Sequence, residues 1–220
     1  MKLFLDSAKE DEISYALDAF DIDGITTNPR HVQSAGKPFM TVIRNIAKLV
    51  EGTEKTVSVE VNPHFVTYQD MLTEAEKLAA ISPNFVIKLQ CIEPAFKVAR
   101  TLAQKNIRTN ITLVFSAAQA LMAMKSGAFF VSPFIGWKET NGEEVRSFID
   151  DVVAIRDNYG FTTEIIVAAV RNGRQIVDSA VSGADIVTAG LSVYQEAFDH
   201  PYTHDGIRRF SNFWDQSLYE

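Results

Sequence analysis

At 220 residues and 46% hydrophobic composition, the chain has the length and core content of one large globular domain. A formal net charge of −7, with no basic block, excludes the electrostatic footprint of a nucleic-acid binder. No apolar run reaches the roughly 20 residues that span a bilayer, so no membrane partner is expected.

Short apolar runs alternate with longer amphipathic stretches throughout. Lys2–Ser7 reads as a first strand and Glu10–Phe20 as a helix. Asp23–Pro29 reads as strand two, stopped by a proline that cannot continue a ladder. A helix over Pro38–Val50 follows, then strand three over Thr56–Asn62 and a helix over Tyr68–Ala80. Strand four is Phe85–Gln90 with its helix Pro94–Gln104, and strand five is Ile107–Phe115. Ser116 has the character of an N-cap for a helix through Lys125, closed at Gly127. Strand six spans Ala128–Gly136, with a helix over Glu143–Asn158. Strand seven is Thr163–Val170 with helix Gly173–Val181, and strand eight is Asp185–Gly190 with helix Ser192–Phe198. A last helix, Thr203–Leu218, carries Ile207, Phe210, Phe213 and Trp214. Eight strand–helix units in this length predict a (β/α)8 TIM barrel as a single domain over 1–220, plus a C-terminal helix that packs on the barrel or reaches a neighbouring subunit. An open doubly wound sheet ranks lower, because no Gly-rich turn follows the first strand.

Met1–Leu5 is a strand-like run followed by charges, not the extended apolar region of a secretory signal. The lone Cys91 leaves no internal disulfide and fits a reducing cytoplasm; it reads as a small core filler. The four histidines lack zinc-ligand spacing.

Strand four, FVIKLQ, carries Lys88 inside an apolar run. A buried lysine is unfavourable unless its charge is paired or its amine is neutral, and a neutral amine is what attacks a carbonyl in Schiff-base catalysis. The plain alternative is a lysine snorkelling from the strand end to water. The other predicted strand ends decide between them, because a barrel collects its chemistry there. Asp6 ends strand one, and Thr26, Thr27, Asn28, Pro29 and Arg30 end strand two. Glu60 and Asn62 end strand three. Asn110 and Thr112 lie on strand five, Ser132 and Phe134 on strand six, and Arg171 follows strand seven. Two acids, two amides and two hydroxyls around one lysine form a coherent active-site set.

GITTNPR (Gly24–Arg30), VIKL (Val86–Leu89), TNITLVFSAAQAL (Thr109–Leu121), FVSPFIGW (Phe130–Trp137) and DNYGFTTEIIVAAVR (Asp157–Arg171) resemble, in order and end to end, the transaldolase and fructose-6-phosphate aldolase family in its short, single-barrel form. The resemblance implies a homo-oligomer, a pentamer or decamer joined through the C-terminal helix, with no cofactor and no metal. It implies that Lys88 forms the imine with a ketose and that Asp6 handles the C4 hydroxyl proton. Glu60 and Thr112 would hold the water for imine formation and hydrolysis. Asn28, Asn110 and Ser132, beside Thr27, would bind the dihydroxyacetone hydroxyls.

The sequence also departs from the family. Phe134 stands where the aldolase branch places tyrosine, which favours transfer of the three-carbon unit over its release. The usual phosphate-binding arginine and serine are replaced by Trp137 and Ala169, while Arg171 is kept. A new cation, Arg30, stands where a small serine is usual, with His31 beside it. One reading is a phosphate site that has decayed, with Arg30 on the surface. The other is a pocket rebuilt for a singly charged sulfonate, as in the branch acting on 6-deoxy-6-sulfofructose. The substrate is thus a sugar phosphate or a sulfo-sugar. After Lys88, Leu89–Ala95 reads LQCIEPA instead of the usual proline and threonine-glutamate-glycine turn, which bears on substrate fit.

Overall fold

The computed structural model describes residues 1–217. Among them, strands β1 (Lys2–Asp6), β2 (Gly24–Thr26), β3 (Thr56–Glu60), β4 (Phe85–Gln90), β5 (Thr109–Val114), β6 (Phe130–Pro133), β7 (Glu164–Val170) and β8 (Ile186–Ala189) close into a barrel. Every pairing is parallel, each strand lies beside the next in sequence, and β8 returns to β1. The crossovers carry α1 (Glu10–Phe20), α2 (Pro29–Ser34) and α3 (Phe39–Leu49), then α4 (Tyr68–Ala79), α5 (Glu93–Gln104) and α6 (Ala117–Lys125). They continue with α7 (Ile135–Thr140), α8 (Arg146–Tyr159) and α9 (Gly173–Ser182), and α10 (Leu191–Phe198) and α11 (Pro201–Gln216) end the described chain. The expected (β/α)8 barrel is the observed fold.

Strand parity builds the interior. Odd-numbered strand residues such as Leu5, Ile25, Val57, Ile87, Ile111 and Val187 point outward into the core beneath the helices. Each such side chain, fully buried, contributes about 1.5–3 kcal/mol. Even-numbered residues point into the barrel. Phe4, Val86, Phe130, Ile166 and Ile186 form a separate apolar plug, with the Phe4 and Phe130 rings edge to face at 5.9 Å. Gly24 completes this layer, because a Cβ there would stand 2.6 Å from the Phe4 ring. Two residues further along the strands the inward positions become polar: Asp6, Thr26, Lys88, Ser132 and Thr188. The plug therefore supports a polar floor at the C-terminal mouth.

Every strand but the fourth is shorter than the sequence pattern implied, strands two and six by the most. Strand two stops at Thr26, and Pro29 opens α2 instead of ending a strand. Asn28 caps that helix, its Oδ1 accepting from the His31 backbone N–H at 2.9 Å, and proline suits the first turn, where no N–H is needed. Strand six stops at Pro133, and Ile135–Thr140 is helical. Gly136 is required there: a Cβ would fall 2.1 Å from the Ala169 carbonyl oxygen, so only glycine lets α7 lie against β7. Ser116 does cap α6, in a reciprocal pair with Gln119. The C-terminal helix buries none of its described residues, and Leu218, its expected last residue, lies outside them. No helix among the described residues is long and apolar enough to cross a membrane.

Candidate active site

A cavity of about 360 Å³ opens at the C-terminal ends of the strands. Lys88 stands in its floor, 4% exposed, so it does not snorkel. Its Nζ donates to the Thr27 carbonyl at 3.0 Å and lies 3.5 Å from Glu60 Oε2. Burial pushes the Glu60 carboxyl above its ordinary range; the Lys88 ammonium opposes this and Asp6 adds to it. Register places Glu60, Lys88 and Asn110 side by side on β3, β4 and β5.

Asp6 is held from β2 and β8. Thr26 Oγ1 donates to Asp6 Oδ1 at 2.7 Å, and the Thr188 hydroxyl lies 2.7 Å from Thr26 Oγ1. On the opposite side, fully buried Asn110 donates through Nδ2 to Ser58 Oγ at 3.1 Å and accepts from Ser132 Oγ at 2.8 Å. Thr112 Oγ1 is buried and without a hydrogen-bond partner among the described residues, beside the floor.

Both β5 and β7 are irregular at this level. Their registers shift between Ile111 and Val114 and between Val167 and Val170. Leu113 and Ala169, each at φ 59°, take the left-handed conformation that non-glycine residues seldom adopt. The consequence is local: Thr112 and Leu113, and likewise Ala168 to Val170, face the same cavity, which strict alternation would forbid. Strained backbone of this kind concentrates at functional sites.

The rim is aromatic and cationic. Phe115, Phe134 and Trp137 form a triangle with ring centroids 5.7–5.9 Å apart, the Trp137 indole edge-on to Phe134. Arg171 Nη1 donates to Thr140 Oγ1 at 2.6 Å, which ties the guanidinium to the helix bearing Trp137. Across the mouth, Arg30 and His31 on α2 line the cavity.

The chain matches the family described as Transaldolase/Fructose-6-phosphate aldolase over residues 3–219. It belongs to that family. A 6-deoxy-6-sulfo-D-fructose transaldolase of Priestia megaterium is 51% identical over all of this chain and 98% of its own length, as is one of Priestia aryabhattai. A probable transaldolase of Geobacter metallireducens is 43% identical over 98% of this chain and 99% of its own. The chain is an enzyme of the transaldolase type.

Of the residues expected at the site of this transaldolase, Asp6, Asn28, Arg30, Glu60, Lys88, Thr112, Ser132, Phe134, Trp137 and Arg171 all line the cavity. Thr27 and Asn110 do not line it; they lie buried beneath, where Thr27 fixes Lys88 and Asn110 fixes Ser132. Arg30 is exposed and also lines the mouth of the cavity, which leaves both the surface reading and the anion-site reading of that residue in place. Thr188 is the residue sequence reasoning passed over. Its signal was available, as the polar inward position of an otherwise apolar strand eight. Cys91 packs against the core, and burial pushes its thiol up to about 11, leaving it an inert filler.

Proposed function

We propose that this transaldolase works through a Schiff base on Lys88 and takes 6-deoxy-6-sulfofructose as donor. The observation that carries the mechanism is a lysine enclosed in the barrel floor, 3.5 Å from a carboxyl whose ionisation burial already resists. Lys88 attacks the donor ketone, and water leaves to give an imine. Asp6 takes the C4 hydroxyl proton as the C3–C4 electron pair moves into the protonated imine. Sulfolactaldehyde departs and an enamine of dihydroxyacetone remains. Glyceraldehyde 3-phosphate then accepts the new carbon–carbon bond, and Asp6 returns the proton to its carbonyl oxygen. Glu60 and the unpartnered Thr112 hydroxyl suit the water of imine formation and hydrolysis, while Asn28 and Ser132 suit the hydroxyls of the three-carbon unit. Phe134 offers no phenol to protonate the enamine, which favours transfer over release.

The donor assignment rests on the rim and on the 51% relatives named for that sugar. A sulfonate carries one negative charge where a phosphate carries nearly two, and needs fewer cations. Arg30 and the Trp137 N–H suit it, with Arg171 held back by Thr140. Both guanidiniums nevertheless line the cavity, so fructose 6-phosphate is the competing donor. Steady-state turnover of the two sugars side by side decides it: kcat/KM higher for sulfofructose is expected, and a large preference for the phosphate overturns the assignment.

A cytoplasmic homo-oligomer is part of the same proposal. Ile207, Phe210 and Phe213 stand exposed on α11, which supports burial of that face against another copy; a monomeric mass in solution would count against it.

A further inference from the structure

The acid/base carboxylate has a neighbour that its reaction does not explain. His31, on the first turn of α2, places Nδ1 3.4 Å from Asp6 Oδ1, and this nitrogen is buried with no hydrogen-bond partner among the described residues. A buried ring nitrogen without a protein partner is unfavourable until water or a bound ligand reorients it toward one. The geometry around it is fixed. Asn28 Oδ1 caps the His31 backbone N–H, so the ring is pinned to the start of the helix and opposite the end of β1. On the other side, Thr26 already donates to Asp6 Oδ1, which leaves Oδ2 for a substrate.

We propose that His31 is a positioning residue for Asp6: when donor closes the gap, its Nδ1–H donates to Oδ1, locking the carboxylate with Oδ2 toward the C4 hydroxyl. The proposal rests on Asp6 being the acid/base of the proposed mechanism. The proton of the reaction still travels only between the C4 hydroxyl and Asp6, and back to the acceptor oxygen. Neutral His31 orients the base without disarming it. Protonated His31 adds a full positive charge beside Oδ1 and makes Asp6 a weaker base.

The charges facing this pair are few. Arg30 lies on the same helix. Lys9 and Glu12, paired at 2.8 Å, border the side cavity that His31 also lines. Glu60 and Lys88 stand across the active cavity. Burial pushes the Glu60 carboxyl above its ordinary range, so the acid limb expected to survive His31 substitutions is assigned to Glu60.

The pH profile of donor cleavage tests the inference. In the wild type, kcat/KM should fall toward acid pH with an acid limb that depends on His31. His31→Asn keeps an N–H donor near the Nδ1 position but does not titrate. It should hold kcat at high pH within about threefold and lose the His31-dependent limb, keeping only the Glu60 limb. His31→Leu removes the donor and should lower kcat about tenfold or more, a small share of the ~10²–10⁴-fold that a positioned acid/base supplies, with KM nearly unchanged. His31→Gln covers the case in which the leucine variant fails to fold. An unchanged limb in His31→Asn, a wild type without that limb, or full kcat in His31→Leu each overturns the proposal. Borohydride trapping of dihydroxyacetone on Lys88 is run in parallel on every variant: its loss in the wild type sinks the Schiff-base reading instead, so the two failures are told apart.

Discussion

Along the floor of the cavity, Asp6, Thr26, Lys88, Ser132 and Thr188 stand on barrel strands, braced by the plug beneath and by hydrogen bonds from strand to strand. At the rim, Arg30 and His31 belong to a helix of six residues, Trp137 to another, and Arg171 to the turn after β7. The floor is buried apart from half-buried Asp6 and nearly fully paired, whereas Arg30, Trp137 and Arg171 are exposed. Side chains held by packing on regular strands keep one geometry, which suits chemistry that tolerates little displacement. Side chains on short crossover elements can be exchanged without disturbing the barrel, which suits selection of a terminal anion.

Substitutions divide along that line. Asp6→Asn strikes the floor and should lower kcat about 10²–10⁴-fold while leaving dihydroxyacetone trapping on Lys88 intact; a matching loss of trapping would mean that the floor had collapsed and that Asp6 was not acting as a base. Gly136→Ala joins the two regions. Its Cβ meets the Ala169 carbonyl, so α7 must move, with an expected loss of about 1–3 kcal/mol by urea denaturation and a weakened KM for the anionic donor. Unchanged stability would show that α7 is not clamped to the β7 bulge. Trp137→Arg acts on the rim alone and should raise the preference for fructose 6-phosphate over sulfofructose about tenfold, read as a ratio of kcat/KM values, since a guanidinium adds charge-assisted donors. A change confined to kcat for both sugars would place Trp137 in the chemistry. Ser116→Ala touches neither region: loss of the α6 cap should lower stability by about 1 kcal/mol with kcat unaltered.

The same division governs what could be read from the residues. The strands were legible because short apolar runs between amphipathic stretches have few other interpretations, and parity then placed the polar residues inward. Lys88 needed its neighbours to be read as functional, since a single lysine at a strand end is ambiguous. The rim was less legible. Asn28–Pro29 is an N-cap followed by a first-turn proline, but after GITT it imitates the end of a strand. Phe134–Trp137 prolongs an apolar strand in pattern, and only the close approach of Ala169 explains why glycine sits there and a helix begins. The bulges at Leu113 and Ala169 carry no glycine or asparagine to announce a left-handed residue, so the sequence held no sign of them. His31 was visible only as a neighbour of Arg30, because its meaning depends on a 3.4 Å approach from β1.

The proposed mechanism stands on Lys88 as the nucleophile that carries the three-carbon unit. Intact-mass measurement after incubation with sulfofructose and borohydride reduction is the most direct test. The wild type should gain the mass of one reduced dihydroxyacetone unit, mapped to the peptide containing Lys88, and folded Lys88→Met should gain nothing. An unmodified wild type, or an adduct that persists in Lys88→Met, would contradict the mechanism.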